Sequence, residues 1–259
     1  MDETSTKKGH CYGTAFVELI TEEAHKGGKD AVVARLLLFT EGKDKQTVTE
    51  FCKELDQRGV PREQVEEVAM DMSRAFQAGV AQELPGARVC FDRYHVMLLA
   101  GKACDEVRKE GTRKEGKLPK GALHALRGNA ERLSEKQSEL REAICKEHSQ
   151  IARALSIQEY LAETWIYDNE EDAKEHLKRV IAWSQRSRLE PFKKLARSLK
   201  EHFEGIMGYY KNYTTSAALE ALNGKLQLAK RNARGYRNFK NFQAISYLIA
   251  GGLPDSRPV

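Results

Sequence analysis

Three acidic residues, Asp2, Asp71 and Glu220, lie far apart in the sequence, but the predicted elements bring them towards one site. We expect Asp2 on the first strand, Asp71 at the end of a later central strand and Glu220 on a helix laid across the sheet. Hard divalent cations such as Mg²⁺ prefer carboxylate oxygens and keep several waters for substrate phosphates. Three converging carboxylates therefore predict a site for two ions about 3.5–4 Å apart. One ion activates the attacking hydroxyl and the other stabilises the leaving oxygen of a phosphodiester.

A basic segment follows Glu220, which is the only acidic residue between positions 220 and 242. The basic side chains are expected to grip the phosphate backbone of DNA around the acidic site. We interpret the arginines as phosphate contacts rather than base readers, because spacing alone gives no base-edge geometry. The same pattern is also typical of a solvated helix face. The basic residues are Lys225, Lys230, Arg231, Arg234, Arg237 and Lys240.

Each candidate residue also has a purely structural interpretation. A single aspartate after a strand is most often a turn residue or a helix N-cap. Asp92 fits an N-cap for the helix predicted to start at Arg93, with His95 as a packing residue of its first turn. Asn223, one turn after Glu220, either orients that carboxylate, contacts DNA or is a polar residue near a helix start.

The first 92 residues predict a mixed α/β arrangement. Residues 11–20 and 31–40 are rich in β-branched and aromatic residues, which favours antiparallel strands. Apolar residues at helical spacing predict a helix over 44–55. Short strands are predicted over 65–70 and 87–91, and each of them runs directly into an aspartate.

The rest of the chain predicts helices. The pattern is helical from residue 93 to about 108, whereas 110–121 is charged, contains Gly and Pro, and predicts an exposed connection. Residues 122–206 predict helices only, with Trp165 and Trp183 as buried core residues rather than platforms for an unpaired base.

The segment around Glu220 predicts an amphipathic helix, a turn at Gly235 and a second, more apolar helix. One stripe of the first helix is apolar and is expected to pack on the core. The residues of this stripe are Leu219, Leu222, Leu226, Ala229 and Ala233.

Composition sets broad limits on the class of protein. The chain has 259 residues, of which 41% are hydrophobic and 31% charged, and a formal net charge of +5, which permits a nucleic-acid partner without requiring one. Five widely spaced cysteines without a CxxC pair argue against a disulfide framework or a structural zinc site. No apolar run approaches the roughly 20 residues that span a bilayer. We therefore expect a cytoplasmic protein with no membrane partner.

Four segments carry a resemblance to a known family: MDETSTKKGHCYGT, AMDMSRAF, FDRYHV and ALEALNGKLQLAKRNARGYRNFKNF. In this order they resemble the motifs of the Asp-Asp-Glu transposases of bacterial insertion sequences, most closely the ISL-three family. The resemblance covers nearly the whole chain. It implies that Asp2, Asp71 and Glu220 are the catalytic, metal-binding carboxylates, with Asp92 and His95 beside the active site.

The resemblance also implies a fold and a reaction. The fold is a ribonuclease-H-like mixed sheet with an all-helical insertion between the fifth strand and the helix carrying Glu220. The expected divisions are a first part of the core over 1–109, the insertion over 110–206 and the C-terminal core helices over 207–259. The implied reaction is Mg²⁺- or Mn²⁺-dependent cleavage and strand transfer on double-stranded DNA, at the terminal inverted repeats and the target, by a homodimer or higher oligomer.

Members of this family carry a cysteine-rich zinc-binding segment and a DNA-recognition region before the first aspartate. Here Asp2 directly follows Met1, so we expect this chain to lack that region. The alternative hypothesis is therefore a catalytically inactive remnant that only binds DNA or a full-length partner. A nuclease or resolvase of the same fold would share the metal chemistry, but the Glu220 segment resembles transposases specifically.

Overall fold

The computed structural model describes residues 1–5, 12–22, 31–128, 130–212 and 217–251. Contacts within the chain define two compact units. The first unit combines Met1–Asp92 with Tyr213–Val259, and the second is the continuous stretch Arg93–Asn212. Strands of the described residues lie in the first unit alone, so the predicted mixed α/β front and helical second part are confirmed.

The first unit contains two small sheets. Their strands are β1 (Asp2–Ser5), β2 (Tyr12–Glu22), β3 (Ala31–Glu41), β4 (Glu67–Met70) and β5 (Arg88–Phe91). The predicted antiparallel pair is confirmed, because β2 pairs antiparallel with β3 and also with β1. Strands β4 and β5 pair in parallel, so their ends, and the aspartates that follow them, lie at the same edge.

Helices make up most of the described chain. They are α1 (Lys45–Gln57), α2 (Arg74–Glu83), α3 (Arg93–Glu115), α4 (Ala122–Arg127), α5 (Glu135–Glu147), α6 (Ser149–Ala162), α7 (Glu170–Arg186), α8 (Glu190–Glu201), α9 (Phe203–Met207), α10 (Tyr209–Asn212), α11 (Ala217–Asn232) and α12 (Phe239–Ala250). The helix predicted over 44–55 is confirmed as α1, and the side chain of its N-cap Asp44 accepts a hydrogen bond from Gln46 N–H. None of the helices in the described ranges combines the length and apolar composition that a membrane crossing requires.

Helices α11 and α12 pack on the three-stranded sheet. The sheet contributes Ala15 from β2 and Phe39 from β3 to a buried cluster. The helices contribute Leu222, Leu226 and Phe242 to the same cluster. Burial of these apolar side chains holds the C-terminal helices on the sheet, although they lie some 200 positions later in the sequence.

The outer edge of β3 is hydrogen-bonded to side chains of α12. Among the described strands β3 is the end strand of its sheet, and one side of its backbone has no strand of the described ranges beside it. Phe39 N–H donates to the hydroxyl of Tyr247 over 3.2 Å, and the Gln243 side-chain amide donates to Phe39 C=O. The helix thus satisfies backbone groups that an edge strand otherwise exposes.

The second unit begins with α3, which is longer than the sequence predicts. The exposed connection expected over 110–121 is wrong for its first half, because α3 continues to Glu115. Gly111 and the charged residues around it suggested a break, but Gly111 lies beside Ile151 of α6, and packing of α3 on α6 outweighs the low helix propensity of glycine. Gly116, with φ of +101°, follows the helix.

The two tryptophans differ in burial. Trp165 is buried, as predicted, whereas Trp183 on α7 is 37% exposed, so its assignment to the buried core is wrong. The ring centroid of Trp183 lies 5.6 Å from that of Tyr160, so Trp183 packs against one aromatic side chain and stays partly exposed.

Candidate active site

Asp71 is placed by the end of β4, a strand whose last residue is buried. Met70, the last residue of β4, is 1% exposed, and Asp71 follows it in a half-buried position. Its Oδ1 atom accepts a hydrogen bond of 2.8 Å from Ser73 N–H, which forms a tight turn before α2. The turn fixes one carboxylate oxygen at the end of β4.

The backbone of Asp2 lies beside this strand. Asp2 is the first residue of β1 and pairs with Ala15 of β2. The Met1 nitrogen donates a hydrogen bond of 2.6 Å to Ala69 C=O, two residues before Asp71. The start of β1 is thereby held next to the end of β4. The side chain of Asp2 lies outside the described part of the structure.

Glu220 lies on α11, a helix that contacts β1. Leu222, two residues after Glu220, packs in the cluster with Ala15, the residue that pairs with Asp2. The side chain of Glu220 is not among those described. The structure therefore brings the backbones of the three predicted acids to neighbouring elements of one unit, and it describes the carboxylate of Asp71 alone.

The secondary candidates are placed as follows. Asp92 follows β5, and its N–H donates to Met70 C=O over 3.1 Å, so Asp92 and Asp71 end two paired strands. Asn223 is half-buried on α11, one turn after Glu220. His95 belongs to α3 of the second unit, where the ring of Tyr94 meets it edge-on at 5.4 Å.

No group of three His, Cys, Asp or Glu side chains that could hold a metal ion occurs among the described residues. Two of the three predicted ligands fall outside that set, so the metal site remains a prediction. The donor set itself suits a hard cation, because it consists of carboxylates, and one of them is oriented by a backbone hydrogen bond.

The basic residues lie on α11 and in the turn after it. The buried side chains of α11 are Leu219, Leu222 and Leu226, which confirms that part of the predicted stripe. Ala233 does not belong to the stripe, because α11 ends at Asn232 and Ala233 is exposed. Lys225, Arg231, Arg234, Arg237 and Lys240 are exposed, and Lys230 is half-buried.

Sequence patterns did not predict the backbone conformation of Arg234. Its φ is +53°, in the left-handed region that favours glycine, and Gly235 follows with φ of +96°. Gly235 N–H donates to Lys230 C=O and closes the helix end. The one signal in the sequence is the Gly235 turn itself, which indicates a helix end but not that an arginine takes the first left-handed position.

Comparison with known proteins identifies the family. Residues 1–246 match the model of the ISL-three type of DDE transposases, a family described as transposase. The chain is 28% identical over its full length to the transposase for insertion sequence element IS1557 of Mycobacterium tuberculosis, covering 61% of that protein. It is 22% identical over 93% of its length to the transposase for insertion sequence element IS1001 of Bordetella parapertussis, covering 58% of that protein.

The chain thus spans about three fifths of the length of these curated relatives. No solved structure matches it. The family match extends across both units and includes the positions of all three predicted carboxylates. The chain therefore belongs to the ISL-three family of transposases.

Proposed function

We propose that this chain carries the catalytic core of a DNA transposase, with Asp2, Asp71 and Glu220 as its metal-binding carboxylates. The observation that carries the proposal is the hydrogen bond from the Met1 nitrogen to Ala69 C=O, which holds the start of β1 beside the end of β4. On this proposal Asp2, on β1, and Asp71, directly after β4, come from distant parts of the sequence to one site. Family membership supports the assignment of a DNA-cleaving and strand-transferring enzyme.

We further propose that the two small sheets belong to one ribonuclease-H-like sheet in the order β3-β2-β1-β4-β5. The observed β1-β2-β3 sheet would form one side of this sheet and the parallel β4-β5 pair the other. The hydrogen bond from the Met1 nitrogen to Ala69 C=O supports the proposed contact between β1 and β4. The second unit, Arg93–Asn212, is then the helical insertion between β5 and α11. The expected domain limits near residues 109 and 206 remain a prediction.

The proposed metal site uses Mg²⁺ or Mn²⁺. Asp71 is suited to this role because Ser73 N–H holds its Oδ1 in place, which orients the carboxylate before any ligand binds. Bound there, a pair of ions would supply Lewis-acid activation of the attacking hydroxyl and charge stabilisation of the leaving oxygen. Asp92 and Asn223 are proposed to line this site, and a role for His95 stays a prediction of the family resemblance.

Double-stranded DNA is the proposed partner, at both transposon ends and target, with the protein acting as a dimer or higher oligomer. The exposed cations Lys225, Arg231, Arg234 and Arg237, together with Lys230, are proposed to contact backbone phosphates. They follow Glu220 on the same helix and its terminal turn, so DNA bound by them would run past the proposed metal site.

Mn²⁺ titration followed by thermal unfolding of this chain tests the metal site. A metal that binds the folded state alone raises the melting temperature, and at about 100 times the dissociation constant the expected rise is roughly 5 to 10 °C. We expect Asp71→Asn and Glu220→Gln to lose this rise. Asparagine keeps an Oδ1 acceptor for Ser73 N–H, so Asp71→Asn removes the charge while preserving the turn.

Asp44→Asn is the matched control, because Asp44 forms the same kind of side-chain contact with Gln46 N–H at an exposed helix start. This variant should retain the full Mn²⁺ response. An equal response in the parent and in both active-site variants would refute the carboxylate site. Retained DNA binding without any metal response would favour the alternative, a protein of this family that binds DNA without catalysis.

A further inference from the structure

A groove in the second unit is not used by the proposed catalytic site. It has a volume of about 450 Å³ and is lined by residues of α3, α4 and α6. This volume lies within the range of small-molecule sites. Gly101 forms part of its wall, and a Cβ atom built at Gly101 would meet nothing closer than Gln158 Nε2, at 3.8 Å. The absence of a side chain at Gly101 keeps this part of the groove open.

The walls of the groove are mainly apolar, and its mouth is aromatic. Met97, Leu126 and Leu155 are among the lining residues. Two further lining side chains, Tyr94 and Leu98, are large and hydrophobic but remain 57% and 39% exposed. One turn of α3 separates them, so they present a continuous apolar surface beside the groove.

The polar part of the lining has an excess of positive charge. It contains Lys102, Arg108 and Arg127 but a single carboxylate, Asp105. Asp105 accepts hydrogen bonds from Arg127 Nε at 3.1 Å and Arg108 Nε at 3.4 Å, so its charge is already paired. Lys102 is exposed, and within the described ranges no carboxylate pairs with it. The groove therefore combines an exposed aromatic ring with unbalanced cations.

We propose that this groove binds one nucleotide, with its base against Tyr94 and Leu98 and its phosphate against Lys102, since Arg127 is held by Asp105. A nucleotide presents a flat aromatic face next to an anion, which complements this lining in both respects. Its source is either an unpaired nucleotide of a DNA strand or a free mononucleotide. If the nucleotide belongs to a DNA strand, the groove adds a second DNA contact and this part of the proposal rests on the proposed function. Nucleotide binding itself requires neither the metal nor the carboxylates.

The test uses the full chain in EDTA, so that it does not depend on metal. The probe is a short single-stranded DNA with one 2-aminopurine, whose fluorescence reports stacking. A fully paired duplex of the same sequence and free dAMP form the other two arms. We expect Tyr94→Ala to weaken binding of the unpaired probe roughly 5- to 100-fold, as is typical when one stacking residue is removed.

Gly101→Leu fills the groove and should abolish the stacking response of the 2-aminopurine, whereas Gly101→Ala adds one methyl group and should retain most of it. Both replacements favour the helix over glycine, so folding is preserved. Trp183→Ala is the control for loss of an aromatic side chain, because Trp183 is also exposed in this unit but does not line the groove. It should bind as the parent does.

The outcomes separate the two sources. Binding of the unpaired probe but not dAMP assigns the groove to a DNA strand, and competition by dAMP assigns it to a mononucleotide. Unchanged affinity in both Tyr94→Ala and Gly101→Leu would overturn the proposal. A second result would also overturn it: the protein binds no nucleotide but binds a glutamate-rich amphipathic peptide, and Gly101→Leu abolishes that binding. The occupant of the groove would then be a protein.

Discussion

Arg234 holds a backbone conformation that is costly for an arginine. Arg234 and Arg188 are the two non-glycine residues with positive φ in the described parts of the chain, at +53° and +61°. The left-handed region costs an ordinary residue roughly 1–2 kcal/mol. Because Arg234 combines this strain with an exposed position in the basic segment, we infer that its side chain serves binding rather than stability.

Replacement of Arg234 by glycine should separate stability from DNA binding. We expect Arg234→Gly to raise the free energy of unfolding by about 1 kcal/mol, since glycine adopts positive φ without the steric cost. The same variant should bind duplex DNA more weakly. The slope of its log affinity against log salt concentration should fall in magnitude by about one, because one phosphate contact is lost. Urea unfolding and a salt titration of DNA affinity measure the two effects.

Arg188→Gly is the matched control for this prediction. Arg188 is exposed and has the same backbone conformation, but it lies in the second unit, away from the basic segment in the sequence. It should be stabilised to a similar extent with unchanged DNA affinity. Loss of stability in Arg234→Gly, or full DNA affinity, would contradict the inferred role.

The buried thiol of Cys90 should make stability fall at alkaline pH. Burial, with smaller contributions from the charges of Glu67 and Asp92, raises the pKa of Cys90 to about 12. In the unfolded chain the thiol ionises near pH 8.5. Between these values the unfolded state releases a proton that the folded state keeps. The contribution of Cys90 to the free energy of unfolding is therefore complete below about pH 8.5 and is lost as the pH rises towards 12.

We expect the free energy of unfolding of the parent to fall by about 2 kcal/mol more than that of Cys90→Ala between pH 8 and pH 10. Urea denaturation of both proteins at the two pH values gives this difference directly. Parallel pH dependences in the two proteins would show that Cys90 does not contribute.

Sequence patterns predicted the backbone setting of Asp71 but not its surroundings. The position of Asp71 after a strand followed from a short apolar run, and its backbone setting at the end of β4 is as expected. The hydrogen bond from Ser73 N–H was not predictable, because it depends on the local turn geometry. The groove beside Tyr94 was not predictable either, since its residues come from three helices that periodicity alone does not pair.

At the level of elements, residue composition and apolar spacing were sufficient to predict strands and a helix, whereas a glycine that indicated a helix end was misleading. The β-branched and aromatic residues over 11–20 and 31–40 predicted the β2-β3 pair, and the apolar spacing over 44–55 predicted α1. Gly111 suggested the end of a helix that in fact continues to Glu115. Contacts with α6 decide that length, and such tertiary contacts are not visible in a local window of sequence.

The close packing of α1 on α2 depends on Gly79. A Cβ atom at Gly79 would lie 2.8 Å from Val48 Cγ2 and 2.9 Å from Val48 Cβ. Val48 is 1% exposed and has no room to move away. We expect Gly79→Ala to lower the free energy of unfolding by about 1–2 kcal/mol, because the overpacking exceeds the gain in helix propensity.

Gly101→Ala provides the comparison for Gly79→Ala, since it introduces the same methyl group into a helix without a close neighbour. It should raise the free energy of unfolding by about 0.5–1 kcal/mol. Urea denaturation of both variants tests the difference in sign. Equal effects at the two glycines would mean that the α1–α2 approach does not limit the side chain at Gly79.

At the scale of the whole molecule, the second unit should fold by itself. Arg93–Asn212 is continuous in sequence and has its own buried residues, including Leu177, Phe192 and Leu199. We expect a fragment of residues 93–212 to show helical circular dichroism and a single cooperative urea transition. A fragment of residues 93–186 lacks α8 and should lose cooperativity. A fragment 93–212 without a cooperative transition would contradict the division into units.

The contact between α12 and β3 has a consequence for synthesis on the ribosome. Phe39 and the two side chains that cover its edge, Gln243 and Tyr247, are separated by 204 and 208 positions. At the usual 5–20 residues per second, translation takes about 10 to 40 s to cover that distance. During this interval the hairpin of β2 and β3 emerges with an open edge, which is a template for pairing with neighbouring nascent chains. Chaperone occupancy of the growing chain should therefore be highest after residue 41 and should fall once α12 has emerged.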